Sequence, residues 1–427
     1  MAAFLPLTGL NVLSVRLMKQ EHIQTFPVET FSSRSAPSPS SALDRWVLGR
    51  IQRPLAGAPI RFRLWDGFEV SPHTGPPVAT IVIKNRQALF SWMWDPELNF
   101  GEAYMFDAVE IRGDIVKLLE EVYRAWPDAK RRSWWLWQES NGERAARENV
   151  HHHYDLGNEF YRLWLDRQMV YTCAYFPTPD CALEGAQVAK IDRVCRKLQL
   201  KPGERVVEAG CGWGSLALFM AKQYGVSVCA FNLSAEQIAY ARERAAAEGL
   251  TDRVHFIEDD YRNVEGTYDA FVSVGMLEHV GLSDYQTLGR VIDRSLTDRG
   301  RGLLHFIGRN RPMPLNAWIR KRIFPGAYTP TLGEVFEHVL EPQDFSVLDV
   351  ENLRLHYAKT LEHWSRRFNA AAGDVERMFD DTFVRAWRLY LAGSQAAFNA
   401  GCMQLFQVVF ARGDGNAIPW TRTDVAG

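Results

Sequence analysis

Arg205-Val-Val-Glu-Ala-Gly-Cys-Gly-Trp-Gly214 decides the fold of this chain. A short apolar strand runs into a glycine-rich turn, and Ser215-Leu-Ala-Leu-Phe-Met-Ala-Lys-Gln-Tyr224 then reads as a helix. Open α/β sheets begin in this way, and they bind ligands at the carboxyl ends of their strands, where glycines let the backbone come close. Working outward, residues 226–232 (VSVCAFN) read as a second strand. Ser234 with Gln237 reads as a capping box opening a helix over 235–249. VHFIED (254–259), YDAFVSVG (268–275) and GLLHFIG (302–308) are further strands, with Ser283 and Gln286 expected to cap the helix between the last two. Strands alternating with helices at this spacing predict an α/β fold with a doubly wound, mostly parallel sheet. Met403–Phe410 is expected to be the final edge strand.

Toward the N-terminus, SSRSAPSPSSA (32–42) is too rich in Ser and Pro to supply a core, so residues 1–42 are expected to be a poorly structured segment ending in a linker. Residues 43–125 alternate short apolar runs with turn residues and end in an amphipathic helix near 113–125, which predicts a smaller α+β domain. Residues 126–150 read as a linker and 151–415 as the catalytic domain. Trp134, Trp135 and Trp137 beside Lys130, Arg131 and Arg132 read either as a membrane-interface patch or as an aromatic anchor for that linker.

Composition narrows the class. Of 427 residues, 47% are hydrophobic and 23% charged, as in an ordinary globular protein, and a net charge of −2 gives no electrostatic case for a nucleic-acid partner. The six cysteines form no CxxC pair and no metal-ligand spacing with histidine, so free thiols and no metal are expected. No apolar run reaches the roughly 18–20 residues that span a bilayer. The first twenty residues lack a basic n-region, which predicts a protein without a secretory leader, soluble or peripheral to a membrane.

The glycine turn has two features that favour S-adenosylmethionine over a dinucleotide. Glu208 stands directly before the glycines, placed to take the cationic end of a sulfonium amino acid, and no G-x-G-x-x-G spacing for a pyrophosphate is present. Asp260, after the third strand, is a candidate partner for an adenine amine. A tight turn that binds nothing is the competing reading.

Val150-His-His-His-Tyr-Asp-Leu-Gly-Asn-Glu-Phe160 and Met169-Val-Tyr-Thr-Cys-Ala-Tyr-Phe176 resemble the signature of the cyclopropane fatty acid synthase family. Val274-Gly-Met-Leu-Glu-His-Val-Gly281, Leu303-Leu-His-Phe-Ile-Gly308, Ile323-Phe-Pro-Gly326, Leu353-Arg-Leu-His-Tyr357 and the C-terminal FQVVFAR continue the match in order. The resemblance is close over 150–412 and loose before it, through Gly101-Glu-Ala-Tyr-Met105. It implies a class I S-adenosylmethionine-dependent methyltransferase fold, and a one-carbon addition to the double bond of unsaturated phospholipid acyl chains that closes a cyclopropane ring. It further implies a bound bicarbonate as base, held at Cys173, Glu278, His305, Ile307 and Tyr357, with Cys173 and Ile307 offering backbone groups. Tyr154, Gly210, Gly212, Gly214, Asn232, Leu233, Gln237, Asp260 and Tyr261 would surround the cofactor beside Glu208. Aromatic faces from Tyr154, Tyr171 or Phe176 would stabilise a carbocation. Each residue also has a plainer reading: Cys173 as a small buried apolar group, His305 as a satisfied core histidine, Tyr357 as packing.

This chain has Glu208-Ala209 where the family usually has Asp-Ile or Asp-Leu, and Asn232-Leu-Ser234 where it has Thr-Leu-Ser, so the contacts of the cofactor pocket are expected to be retuned. Gly300–Gly333 holds no acid but includes Arg301, Arg309, Arg311, Arg320, Lys321 and Arg322, interleaved with Trp318, Ile319, Ile323 and Phe324. It reads either as a membrane-docking surface or as a loop whose apolar members face an acyl tunnel. The resemblance implies that the 43–125 domain helps to present lipid and to support dimers, and hence a peripheral homodimer in the cytoplasm, at the inner face of the membrane. Competing activities are a methyl or methylene branch, methylation of a small-molecule amine, and lipid binding by an inactive methyltransferase domain.

Overall fold

The computed structural model describes residues 38–125 and 156–413. Its first element, α1 (Ala42–Gln52), starts inside the stretch whose composition reads as linker. Ser41 accepts from the Asp44 N–H while the Asp44 carboxylate accepts from the Ser41 N–H, a reciprocal cap that fixes the helix start. Asp44 is buried and grips Arg86 through two bonds of 2.7 and 2.8 Å, which ties α1 to α2 (Arg86–Trp94). Around these helices lie β1 (Ile60–Arg63), β2 (Glu69–Val70) and β3 (Ala79–Ile83), then α3 (Pro96–Met105), β4 (Val109–Gly113) and α4 (Ile115–Ala125). The strands form a sheet of order β2-β1-β3-β4 over a core that includes Leu48, Phe62, Ile81, Leu89 and Trp92. This is the expected small α+β unit. The aromatic-basic cluster at 130–137 and the linker reading of 126–150 lie outside the described residues.

In the larger unit a short helix over Asn158–Arg162 precedes α5 (Leu183–Lys197), and the chain continues as β5 (Arg205–Ala209), α6 (Ser215–Tyr224), β6 (Ser227–Asn232), α7 (Ala235–Ala247), β7 (Val254–Glu258), β8 (Tyr268–Val274), α8 (Tyr285–Ser295) and β9 (Leu296–Gly308). It closes with α9 (Ala317–Arg322), β10 (Phe345–Asn352), α10 (Arg354–Ala370), α11 (Asp381–Asn399) and β11 (Gln404–Arg412). The sheet runs β10-β11-β9-β8-β5-β6-β7, parallel from β9 to β7, with β11 antiparallel to both neighbours. The doubly wound reading therefore holds. Two details differ. β11 is an inner strand, buried along almost its whole length, whereas β10 alternates in burial and forms the edge. The run Leu-Phe-Gln-Val-Val-Phe-Ala is apolar on both faces, which an edge strand does not require. The helix before β9 is preceded by a 3-10 turn over Leu282–Asp284, so Asp284 rather than Ser283 takes the cap position, without a side-chain bond.

The two units are joined through α3 and α4, which pack on α11 and α9. Arg322 clasps Glu102 at 2.8 and 2.7 Å in a buried pair, and Arg385 donates to the carbonyls of Tyr104 and Val109. Trp318 lies so flat on Gly101 that a Cβ there would fall 2.3 Å from Cγ of the indole. These contacts bear on the two readings of 300–333. Trp318 and Ile323 are buried, Arg322 is bound to Glu102, and Arg301 is bound to Glu204 and to the carbonyls of Gln199 and Asp269. The charges of Arg301 and Arg322 are thus taken up inside the protein, while Arg311 is exposed.

Candidate active site

The strand end at Ala209 passes into Gly210, Gly212 and Gly214, all at positive φ (84°, 52° and 81°). A Cβ at Gly210 would press on Met276, and one at Gly214 would sit 2.5 Å from the Phe256 ring. At Gly212 a Cβ would meet nothing, because that backbone faces open space. The turn borders a cavity of about 140 Å³ at the carboxyl ends of the strands. Glu208, Gly210, Gly212, Asn232, Leu233, Gln237, Asp260 and Tyr261 line it, as expected. Gly214 does not; it shapes the turn and sets the start of α6. Tyr154 lies outside the described residues.

The departures from the family pattern have a local logic. Asn232 donates to Gln237 Oε1 (2.6 Å) and to the Gly212 carbonyl (3.4 Å), while its own Oδ1 accepts from the Leu233 N–H. The amide braces the turn from the side, which leaves Gln237 Nε2 and the Tyr261 hydroxyl without protein partners among the described residues. Asp260 has both oxygens engaged by Arg262, through its N–H and its guanidinium at 2.9 Å. Its expected role as acceptor for a base must therefore be shared with Arg262. Glu208 is buried and its Oε2 lacks a protein partner among the described residues. Burial raises its pKa to about 8, opposed by the ammonium of Lys190. A cationic guest would restore the charge, so the donor set fits a sulfonium amino acid.

A second cavity, about 1110 Å³, lies against the first. Cys173, Glu278, His305, Ile307 and Tyr357, which come from four separated stretches of sequence with His305 and Ile307 both on β9, all line it. Tyr171, Thr172, Gly275 and His279 border both cavities and so mark where the two meet. Glu278 Oε1 accepts from the Ile307 N–H, and Oε2 faces the cavity without a protein partner among the described residues. Of the backbone groups expected to serve a guest, the Ile307 N–H is therefore already held by Glu278. Burial lifts the Glu278 pKa to about 7, against the Ile307 N–H, which lowers it. His305 is buried and held neutral by loss of solvation. The Gln407 amide donates to its Nδ1 (3.1 Å), which places the ring proton on Nε2, an atom with no protein partner among the described residues. Burial drives the Cys173 thiol pKa up, so it is a neutral thiol donating to the Ala174 carbonyl at 3.1 Å.

The aromatic candidates divide. Tyr171 lies at the meeting point, with its hydroxyl 2.7 Å from that of Tyr390, another cavity residue. Phe176 is outside both cavities, stacked on His356 and His363. Sequence reasoning missed Thr172, Lys190 and Tyr390. Lys190 had a signal: it interrupts an apolar i, i+4 stripe between Ala186 and Val194. In the structure its buried Nζ donates to Thr172 Oγ1 at 2.9 Å, and burial lowers its pKa to about 8.

Beyond this shared end, the large cavity runs into the smaller unit past Phe62, Ile81, Trp92, Phe100, Leu118 and Val122. Its walls are mainly apolar, and its volume exceeds the roughly 300–1,000 Å³ usual for ligand pockets.

Comparison with known proteins agrees with this geometry. The family described as mycolic acid cyclopropane synthetase matches residues 141–408, and a domain of unknown function matches 50–131. A "Probable fatty acid methyltransferase" of Pseudomonas putida is 37% identical over 86% of this chain and 96% of its own length. The "Cyclopropane-fatty-acyl-phospholipid synthase" of Escherichia coli K12 is 43% identical over 62% of this chain and 68% of its own. Among solved structures, a mycolic acid cyclopropane synthase complexed with SAH and CTAB superposes with a TM-score of 0.60 at 31% identity, covering 62% of this chain and 98% of that one. A family match over more than half of the chain, on the fold and glycine turn described above, places this chain in the mycolic acid cyclopropane synthetase family, and it is an S-adenosylmethionine-dependent methyltransferase.

Proposed function

We propose that this enzyme adds a methylene to the double bond of an unsaturated phospholipid acyl chain and closes a cyclopropane ring. One observation carries the reading: a long apolar cavity begins in the smaller unit and ends at Glu278 and His305, against the cofactor cavity. Bound S-adenosylmethionine supplies an electrophilic methyl group. Glu208, Gln237 and the Gly210–Gly212 backbone would hold it, and Tyr171, Thr172, Gly275 and His279 present the acyl chain at the seam. Apolar walls exclude water, which an alkene nucleophile needs because it attacks poorly and its cation is easily trapped. Transfer of the methyl to one alkene carbon, with S-adenosylhomocysteine as the leaving group, would place positive charge on the other, and the Tyr171 and Tyr390 rings that line the cavity would stabilise it. Ring closure then requires a proton from the new methyl. Bicarbonate is the base we propose: Glu278 Oε2 would accept from its hydroxyl and His305 Nε2–H would donate to an oxygen.

A methyl or methylene branch is the second reading, favoured by similarity along nearly the whole chain to the Pseudomonas putida relative. Both readings extend to a peripheral homodimer at the inner face of the membrane. The test is incubation of purified protein with S-adenosylmethionine and vesicles of monounsaturated phospholipid, followed by mass spectrometry and proton NMR of the acyl chains. A one-methylene gain with upfield ring protons supports the synthase; vinylic or branch-methyl signals move it to the second reading. Absence of any gain refutes both.

A further inference from the structure

The large cavity has to open somewhere, and the exposed residues along it show where. Arg53, Pro54, Trp94 and Pro96 are its exposed lining residues, and all four belong to the smaller unit. Trp94 is 89% exposed, an unusual state for the largest apolar side chain. α1 leads directly into the turn that carries Arg53 and Pro54, and it packs on α2, which ends at Trp94. Along the outer side of α1, Leu43, Trp46 and Arg50 recur at helical spacing, and the stripe continues to Arg53. Leu43 (57%) and Trp46 (56%) are more than half exposed, and Met93 (48%) lies beside Trp94. Four of the seven strongly exposed large apolar side chains among the described residues thus collect at this one rim.

The exposed charges on the outer face of α1 itself are basic, with the exposed Asp66 standing at its start, where it accepts from the Ser40 N–H. Arg45, Arg50 and Arg53 are exposed, while the acid of α1, Asp44, is buried beneath Arg86. Asp95 and Glu97, both half-buried, also line the cavity, with the Asp95 carboxylate capping α3 and a Glu97 oxygen buried.

We infer that the outer face of α1, with the Met93–Trp94 end of α2, is the surface on which this enzyme rests on an anionic phospholipid leaflet. Tryptophan and arginine together suit the headgroup layer, where the ring sits at the apolar boundary and the guanidinium meets phosphate. A protein partner seated here would cover the cavity mouth; a leaflet fills the mouth with what the cavity takes. This rests on the acyl-chain reading above, and it moves the docking surface from 300–333 to the opposite unit.

The experiment uses the full chain and flotation with vesicles of monounsaturated phosphatidylcholine containing one quarter phosphatidylglycerol, without S-adenosylmethionine. The Leu43→Ser/Trp46→Ser variant, whose changed residues do not line the cavity, should lose about tenfold in vesicle binding and in turnover on vesicles. Its turnover of the same lipid in detergent mixed micelles should stay within about twofold of the parent. Arg50→Glu should weaken binding to these vesicles several-fold and leave weak binding to pure phosphatidylcholine unchanged. Because Arg50 is exposed, it also tests the face should the double variant fold poorly. Unaltered flotation of both variants would overturn the inference. So would a drop from dimer to monomer in sedimentation velocity, which would show that a second copy covers this face. A parent enzyme that floats yet transfers nothing in either lipid form would instead refute the acyl-chain reading and leave the docking face standing.

Discussion

Glu278→Gln separates the chemistry of this site from its architecture. The amide has the size of the carboxyl, and its oxygen can still accept from the Ile307 N–H, so the fold and the cofactor cavity should persist. What changes is Oε2, which turns from an acceptor into an N–H donor facing the large cavity. If that oxygen holds the base for ring closure, turnover should fall by about 10²–10⁴, the usual worth of a positioned proton-transfer group, while S-adenosylmethionine affinity by calorimetry stays unchanged. A second magnitude comes from burial. A rise from 4.5 to about 7 means that ionising Glu278 in the fold costs about 3 kcal/mol as an upper figure. An acid with a raised pKa destabilises the native state only when ionised: the penalty is absent below pH 4.5, grows between 4.5 and 7, and is complete above 7. The glutamine variant carries no such penalty. Its melting temperature should match the parent's at pH 4.5 and exceed it at pH 8. The parent's turnover should also rise with pH through about 7, a limb absent from any residual activity of the variant. Undiminished turnover, or a stability gap that ignores pH, would refute the reasoning.

Lys190→Met should weaken S-adenosylmethionine binding about tenfold, because the ammonium is what opposes protonation of Glu208; calorimetry at pH 7 and 9 should show the loss shrinking as pH rises. Arg322→Ala should destabilise the protein by about 3–5 kcal/mol by leaving Glu102 buried without Arg322, and Glu102→Gln in the same chain should recover much of it in denaturant titrations. Gly101→Ala should cost about 1–3 kcal/mol, because a Cβ would collide with the Trp318 ring; limited proteolysis should cut between the units sooner than in the parent.

Local pattern carries far in this protein because the glycine turn and its flanking strand and helix are contiguous. Arg205–Tyr224 contains its own strand, turn and helix, so the doubly wound sheet and the place of the cofactor cavity were legible there. The five predicted catalytic residues were legible as motifs, and the structure brings all of them to one cavity. Their working state was not. That Ile307 gives its N–H to Glu278, and that Gln407 orients His305, depends on atoms about 30 and 100 residues apart in the chain. Nor was the fate of the arginines between 300 and 333. A run of basic residues looks alike whether it faces water or an internal partner, and only packing against α3 reveals that Glu102 takes Arg322.

The strand-turn-helix order, the acid before the glycines and the set of polar groups available for chemistry follow from residue type and near spacing alone. Only the packed chain shows that β11 lies inside the sheet, that Phe176 lies outside both cavities, and that a cavity crosses from one unit to the other. It also shows that the exposed apolar residues gather at the cavity mouth. The physical reason is the same in each case: burial and partnership come from surfaces that meet only when distant segments pack, and no local periodicity encodes which surfaces will meet.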